Sequence, residues 1–360
     1  MSAHIAAYRG CLLGMAVGDA MGFPVDYKSW EEICENYGPN GLLGYDLLNG
    51  CAEVTSYTQV AAYGANGLLL SLSRGKQANY VRYIAEAMRI WAKKQHFPRD
   101  PEKNLFWVSQ IPQLRTRQCR DPRMLDALRF DRLGTPEKPV NNADSPGALT
   151  LGAVVGMFYN PNRLTPTQIG SLSAQAVALT HGDPGAFLSA AVLAYIIAGM
   201  IQQPDHDLKE HFLQAIETVD RLFRDTFPQA TVLSNRLKLA ISLVDNPDIS
   251  PRQRMEQLYC QSAGECLAGA LYACLASKED FDEAMIIAVN HSGRSCAVGA
   301  VVGAILGTKL QEDALPEFYL ESLESANVLR TLADDLAKGN PASGLFDDDW
   351  DHKYVQGLPL

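Results

Sequence analysis

The chain has 360 residues, 47% of them hydrophobic and 20% charged, with a formal net charge of −10. That length suffices for one large core or two modest ones, and the composition excludes a disordered chain. The acidic balance argues against nucleic acid as the main partner, whereas a small anionic ligand needs only a local gathering of cations.

The eight cysteines are scattered without a Cys-x-x-Cys pair, so neither a zinc site nor a disulfide framework is expected. Cys11, Cys266 and Cys274 read as small buried hydrophobes. The N-terminus shows no basic leader or cleavage site, and no apolar run approaches about 18 residues. A cytoplasmic protein without a membrane partner is therefore expected.

In chain order, residues 3–17 read as a buried helix running into a Gly- and Pro-rich loop, Gly18-Asp19-Ala20-Met21-Gly22-Phe23-Pro24-Val25-Asp26. Asp19 there is a candidate cap for the following turn. Thr55 is a candidate N-cap, with a helix expected after Thr58. Val81, Ile84, Ala85, Met88 and Trp91 recur at helical spacing and predict a helix over 78–94. From 97 to 140 prolines and charges alternate, which predicts loops around short helices and the most mobile surface of the molecule. A loop carrying Asn142, Asp144 and Ser145 leads into an apolar stretch, and Thr180-His181-Gly182-Asp183-Pro184 opens a long Ala/Leu/Ile helix. In such a turn His181 reads as a tie between loops or as a site residue.

Further helices are expected within 208–245, 251–277, 280–289 and 315–336. The chain is organised around residues 290–307. A tight turn carrying His291, Arg294 and Cys296 feeds a helix with glycines at 299, 303 and 307. That spacing puts the three on one face, where a neighbouring backbone can approach closely. A helix so rich in glycine is poor by propensity and must be held by tight burial. The tail around Asp347, Asp348, Asp349 and Asp351 reads as a solvated acidic end. Helical periods dominate, with no sustained alternation and no long linker. The reading is all-α, one compact bundle over 1–340 and an acidic tail over 341–360.

Five stretches resemble, in the same order, the signatures of the ADP-ribosylglycohydrolase family, and the likeness covers roughly residues 3–336. They are Arg9-Gly10-Cys11-Leu12-Leu13-Gly14 through Gly22, Thr55-Ser56-Tyr57-Thr58-Gln59, the loop Ser145-Pro146-Gly147-Ala148, Thr180-His181-Gly182-Asp183-Pro184, and Gly293-Arg294-Ser295-Cys296-Ala297 with its glycine helix. The resemblance implies an all-α bundle whose cleft is formed by inter-helix loops, and hydrolysis of a glycosidic bond to ADP-ribose with two magnesium ions. The family's acid at the place of Asp26, usually Glu, lies at that active site. Its magnesium ligands fall on Ser56, Tyr57, Arg294, Cys296 and Ala297 or Val298. Its Met-Arg pair after the third loop falls on Thr150 and Leu151, and Pro146 removes an N–H donor from that loop.

A serine, a phenol, a thiol and a methyl do not replace carboxylates around a hard cation, and an arginine repels one. No metal and no cofactor are expected. Asp19, Asp26, Thr55, Ser56, Tyr57, Asn142, Ser145, His181, His291, Arg294 and Cys296 are the candidate ligand-binding residues. Arg294 is expected to pair with Asp19 or Asp26, or else to face the cleft and grip a phosphate or carboxylate. Cys296, near Arg294 and His291 at a helix N-terminus, is a candidate nucleophile with a lowered pKa. The favoured reading is a pseudo-hydrolase that binds an ADP-ribose-like small molecule or a protein partner. The alternative is a metal-independent enzyme using Asp26, Asp144, His181, Asp183 or Cys296.

Overall fold

Glycine stripes decide the centre of the fold. Gly10, Gly14, Gly18 and Gly22 repeat every fourth residue along the helix Ala3–Gly22, and Gly299, Gly303 and Gly307 do so along Ser295–Leu310. The stripes face each other antiparallel, Gly10 against Gly307 and Gly18 against Gly299. A Cβ added at Gly303 would lie 1.8 Å from the carbonyl oxygen of Gly14. Only glycine on both sides allows so close an approach, and the backbones themselves form the contact.

Around this pair pack Ser56–Leu72, Thr150–Phe158, Pro184–Gln202, Ala263–Ala276 and Phe281–Val289, all mostly buried. The computed structural model describes residues 3–75, 79–100, 103–129, 131–246, 248–339 and 347–358. Among these there are 17 α-helices, three isolated β-bridges and no strand, as the all-α reading expects.

Three expectations need correction. The first helix does not end at 17 but runs to Gly22, because the glycine stripe continues to meet the Ser295–Leu310 helix through its last turn. Asp19 is therefore inside a helix and not the cap of a turn after it. Residues 97–140 are not simply a mobile rim. Trp107, Val108, Leu114 and Met124 are buried, and the short helices Trp107–Gln110, Pro112–Arg115 and Pro122–Leu128 pin the segment to the bundle. An apolar run of 19 residues does exist, the helix Pro184–Gln202, long and apolar enough to cross a membrane. In this fold most of it is buried, as in the core helix of a bundle.

The acidic end is solvated only in part. Asp347, Asp348 and Asp349 are exposed, but Asp348–Tyr354 is a helix that buries Trp350 and Tyr354. Asp335 holds it, accepting from Lys353 Nζ and from the Tyr354 hydroxyl, each at 2.6 Å. Tyr354→Phe removes one of these bonds without opening a cavity. A loss of about 1 kcal/mol is expected in urea unfolding.

Candidate functional site

Asp19, in the last turn of the first helix, points at the N-terminus of Ser56–Leu72. Its carboxylate accepts from the Thr55 and Thr58 backbone N–H groups at 2.8 and 3.0 Å and from their hydroxyls at 2.6 and 2.7 Å. A fully buried acid thus caps a helix in another part of the chain, matching the positive end of its dipole. Burial pushes its pKa up, and the four donors oppose that shift without cancelling it. Thr55 also caps the same helix with its own hydroxyl, and Ser56 accepts from the backbone N–H of Arg120 at 2.9 Å.

Asp26 follows the short 3-10 turn Phe23–Val25, and its side chain is wholly buried. One carboxylate oxygen accepts from Arg120 Nε at 3.0 Å, the other from the backbone N–H of Cys296 at 3.3 Å. Burial pushes its pKa up, while Arg120, the Cys296 N–H and, more weakly, Arg294 pull it back. The ion pair expected of Arg294 is made by Arg120.

Arg294 lies instead with its guanidinium 4.2 Å over the ring of Tyr27, and its buried Nε has no hydrogen-bond partner. Tyr27 is half exposed, sits at a positive φ of 66°, and donates its hydroxyl to the carbonyl of Arg120. Tyr57 is buried beside Asp26, Cys266 and Cys296, so its phenol fills the space between these elements.

The nucleophile expectation for Cys296 is overturned. The thiol is fully buried, and burial together with the nearby Asp26 and Asp19 carboxylates raises its pKa well above the ordinary value. A thiol so placed is inert.

A second network lies one residue on from Arg120. Asp121 accepts from His181 Nε2 at 3.0 Å and from the Ser145 hydroxyl, and caps Pro122–Leu128. Burial would raise the Asp121 pKa, but the His181 and Ser145 donors and Arg123 hold it well below the usual carboxylate range. His181 Nδ1 meets the Thr180 hydroxyl at 2.9 Å. Hydroxyl, imidazole and carboxylate follow one another as in a hydrolytic triad. Thr180 and His181 are only 1% and 0% exposed, so no substrate reaches that hydroxyl. The group ties three loops together. Gly147 belongs to it, because a Cβ there would lie 2.8 Å from the Asp121 side chain.

The remaining candidates divide. Asp183 caps Pro184–Gln202, and Asp144 is largely exposed with Arg123 at 3.7 Å. Both line a cavity of about 180 Å³ with Arg236 and Ser262, whose walls include none of Asp26, Tyr57, Arg294 or Cys296. Asn142 is exposed. Its neighbour Asn141 makes the loop's bonds, donating to the Thr180 carbonyl and accepting from the Gly182 N–H. His291 is buried away from solvent, with Nε2 at 2.9 Å from the Ala288 carbonyl and Nδ1 accepting from the Gly293 N–H at 2.9 Å.

Those partners fix His291 as the neutral Nε2–H tautomer, and burial lowers its pKa to about 4 from 6.5. Between these values the unfolded chain binds the proton and the native one does not. Its contribution is thus complete above pH 6.5 and disappears as pH falls towards 4. The whole shift corresponds to about 3 kcal/mol. Thermal unfolding from pH 7 to 4 is expected to show that fall, with a shallower slope in His291→Gln.

The family model for ADP-ribosylglycohydrolases matches residues 1–344. The chain belongs to the ADP-ribosylglycohydrolase family. An uncharacterized protein of Archaeoglobus fulgidus is 26% identical over 331 residues, covering 91% of this chain and 94% of that one. A solved structure described as an ADP-ribosylglycohydrolase-related protein complex superposes with a TM-score of 0.60 at 22% identity, covering 94% and 99% of the two chains. That likeness is one of fold.

Within this family fold, three residues of the site were not singled out by sequence reasoning. Thr58 completes the bonds to Asp19, and Arg120 and Asp121 organise the two networks. Asp121-Pro122 is a legible helix start, since an Asp before Pro is a common N-cap and first-turn pair. Nothing local marks Arg120. Among the described residues no three His, Cys, Asp or Glu side chains are grouped so as to hold a metal ion.

Proposed function

We propose that this member of the ADP-ribosylglycohydrolase family forms no dinuclear magnesium centre. In this reading it is a non-hydrolytic relative whose cleft binds a nucleotide-like small molecule. The observation that carries this reading is the Arg120–Asp26 pair. The acid that matches the family's active-site acid has one oxygen on a guanidinium and the other on a helix N–H. Two hard cations need several anionic oxygens at close range. The positions that match the family's ligands hold Ser56, a buried phenol, a second arginine, a buried thiol and Ala297. Two unit positive charges about 4 Å apart repel by about 4 kcal/mol at an effective dielectric of 20, and a divalent ion doubles that. The donor set does not fit the metals.

Hydrolysis without metal has less support. Asp26 is ion-paired, His181 is bonded at both nitrogens, Cys296 is buried, and Asp183 is a helix cap. Thermal unfolding with ADP-ribose, magnesium and EDTA, run beside a glycohydrolase assay, tests the reading. ADP-ribose at a hundredfold excess over its Kd should add about 2.7 kcal/mol of stability. Magnesium and EDTA should change nothing, and no ADP-ribose should be released from a modified protein substrate. Magnesium stabilisation reversed by EDTA, with release of ADP-ribose, would sink the proposal.

A further inference from the structure

We infer that Arg294, beside Tyr27 and Asp26, is an anion-binding group and that its ligand is an oxyanion, a phosphate or carboxylate carried by a small molecule. The inference rests on the metal-free reading above. Two arginines approach Tyr27, with Arg120 at 5.3 Å and Arg294 at 4.2 Å from its ring centroid. They are not equivalent. Arg120 is paired with Asp26, through its Nε at 3.0 Å. Asp26 has its second oxygen on the Cys296 N–H, and no hydrogen bond joins it to Arg294.

Arg294 makes no ion pair or side-chain hydrogen bond among the described residues, and its Nε is a buried donor without an acceptor. A dry, unmet guanidinium N–H is costly, and native structures keep such groups where something external completes them. The residue as a whole is partly exposed, so a ligand can reach it. A guanidinium can offer two parallel N–H···O bonds, the geometry that suits phosphate and carboxylate, and Arg294 has its guanidinium carbon 4.2 Å from the Tyr27 ring centroid. Tyr27 is itself tied to the Arg120 carbonyl through its hydroxyl. The two features belong to one arrangement: Arg120 neutralises the old acid, and Arg294 is left to the ligand.

Titration calorimetry of the full-length protein at constant ionic strength tests this, with inorganic phosphate and acetate as separate probes. Phosphate or acetate should bind the wild type, and whichever binds more tightly names the group that the ligand carries. Arg294→Met should weaken that binding by about ten-fold or more, since both charge-assisted hydrogen bonds of the guanidinium are lost. Arg294→Lys, which keeps the charge and loses the fork, should fall between the two. Arg82→Met, which removes an exposed guanidinium elsewhere, should change nothing. Absence of binding by the wild type, or an equal loss in Arg82→Met and Arg294→Met, overturns the inference. Magnesium stabilisation reversed by EDTA overturns instead the metal-free reading, so the two fail separately.

Discussion

Gly303→Ala is expected to cost about 3 kcal/mol or more in urea unfolding, and the folded yield should fall with it. The new Cβ would meet the Gly14 carbonyl oxygen at 1.8 Å and its carbon at 2.4 Å. These are backbone atoms inside a helix, so no rotamer change relieves the clash. The helices Ala3–Gly22 and Ser295–Leu310 must separate, and every contact along their seam weakens together. Alanine has the better helix propensity by about 1 kcal/mol, so an exposed glycine would show the opposite sign. Gly44→Ala is the control, because a Cβ there meets nothing within 4 Å. Equal stability of Gly303→Ala and wild type would mean that the two backbones are not in contact.

Arg120→Met is expected to lose about 3 kcal/mol at pH 7.5, the low end for breaking a buried pair, because Arg120 is itself 21% exposed. The variant leaves Asp26 wholly buried with only the Cys296 N–H to meet it. Burial already raises the Asp26 pKa, and losing its main opposing charge raises it further. A carboxyl whose native pKa is raised binds its proton more readily folded than unfolded. Its stabilising contribution is therefore present at low pH and lost as pH rises through the native value. The deficit of Arg120→Met should accordingly shrink between pH 7.5 and 5, measured as the difference in unfolding free energy from wild type. A deficit independent of pH would mean that Arg120 acts by packing on Phe23 and Tyr27 and not by charge. A gain of magnesium binding by the same variant would identify Arg120 as the group that now excludes the ion.

Much of the fold is legible without coordinates. The four-residue glycine spacing of Gly299, Gly303 and Gly307 announces a backbone-to-backbone seam, and Gly10, Gly14 and Gly18 repeat it at the other end of the chain. Helical periodicity marks the bundle, and cap residues such as Thr55 and Asp183 stand where the helices begin. The acidic tail misleads, because Asp347, Asp348 and Asp349 dominate the composition while Trp350 and Tyr354 decide the docking. The site is legible in its residue types and not in its pairings. Ser56, Tyr57, Arg294 and Cys296 can be read directly as neutral or cationic where the family carries acids. That Cys296 is an inert thiol follows only from its burial, since sequence alone places it beside an arginine at a helix N-terminus.

Near neighbours along the chain fix the helices, their caps, the stripe that faces a partner, and the chemical character at each site position. The tertiary structure decided which cation neutralises Asp26. Asp26 and Arg120 lie 94 residues apart, and the bond forms because the segment before Pro122–Leu128 is held against Ser56 by its own backbone N–H. Arg294 is 268 positions from Asp26 and near enough in space to influence its charge, yet the hydrogen-bonded ion pair is made by Arg120. Charge type is a property of one residue, whereas the choice between two like charges is settled by distance and desolvation, and those exist only once the helices have packed.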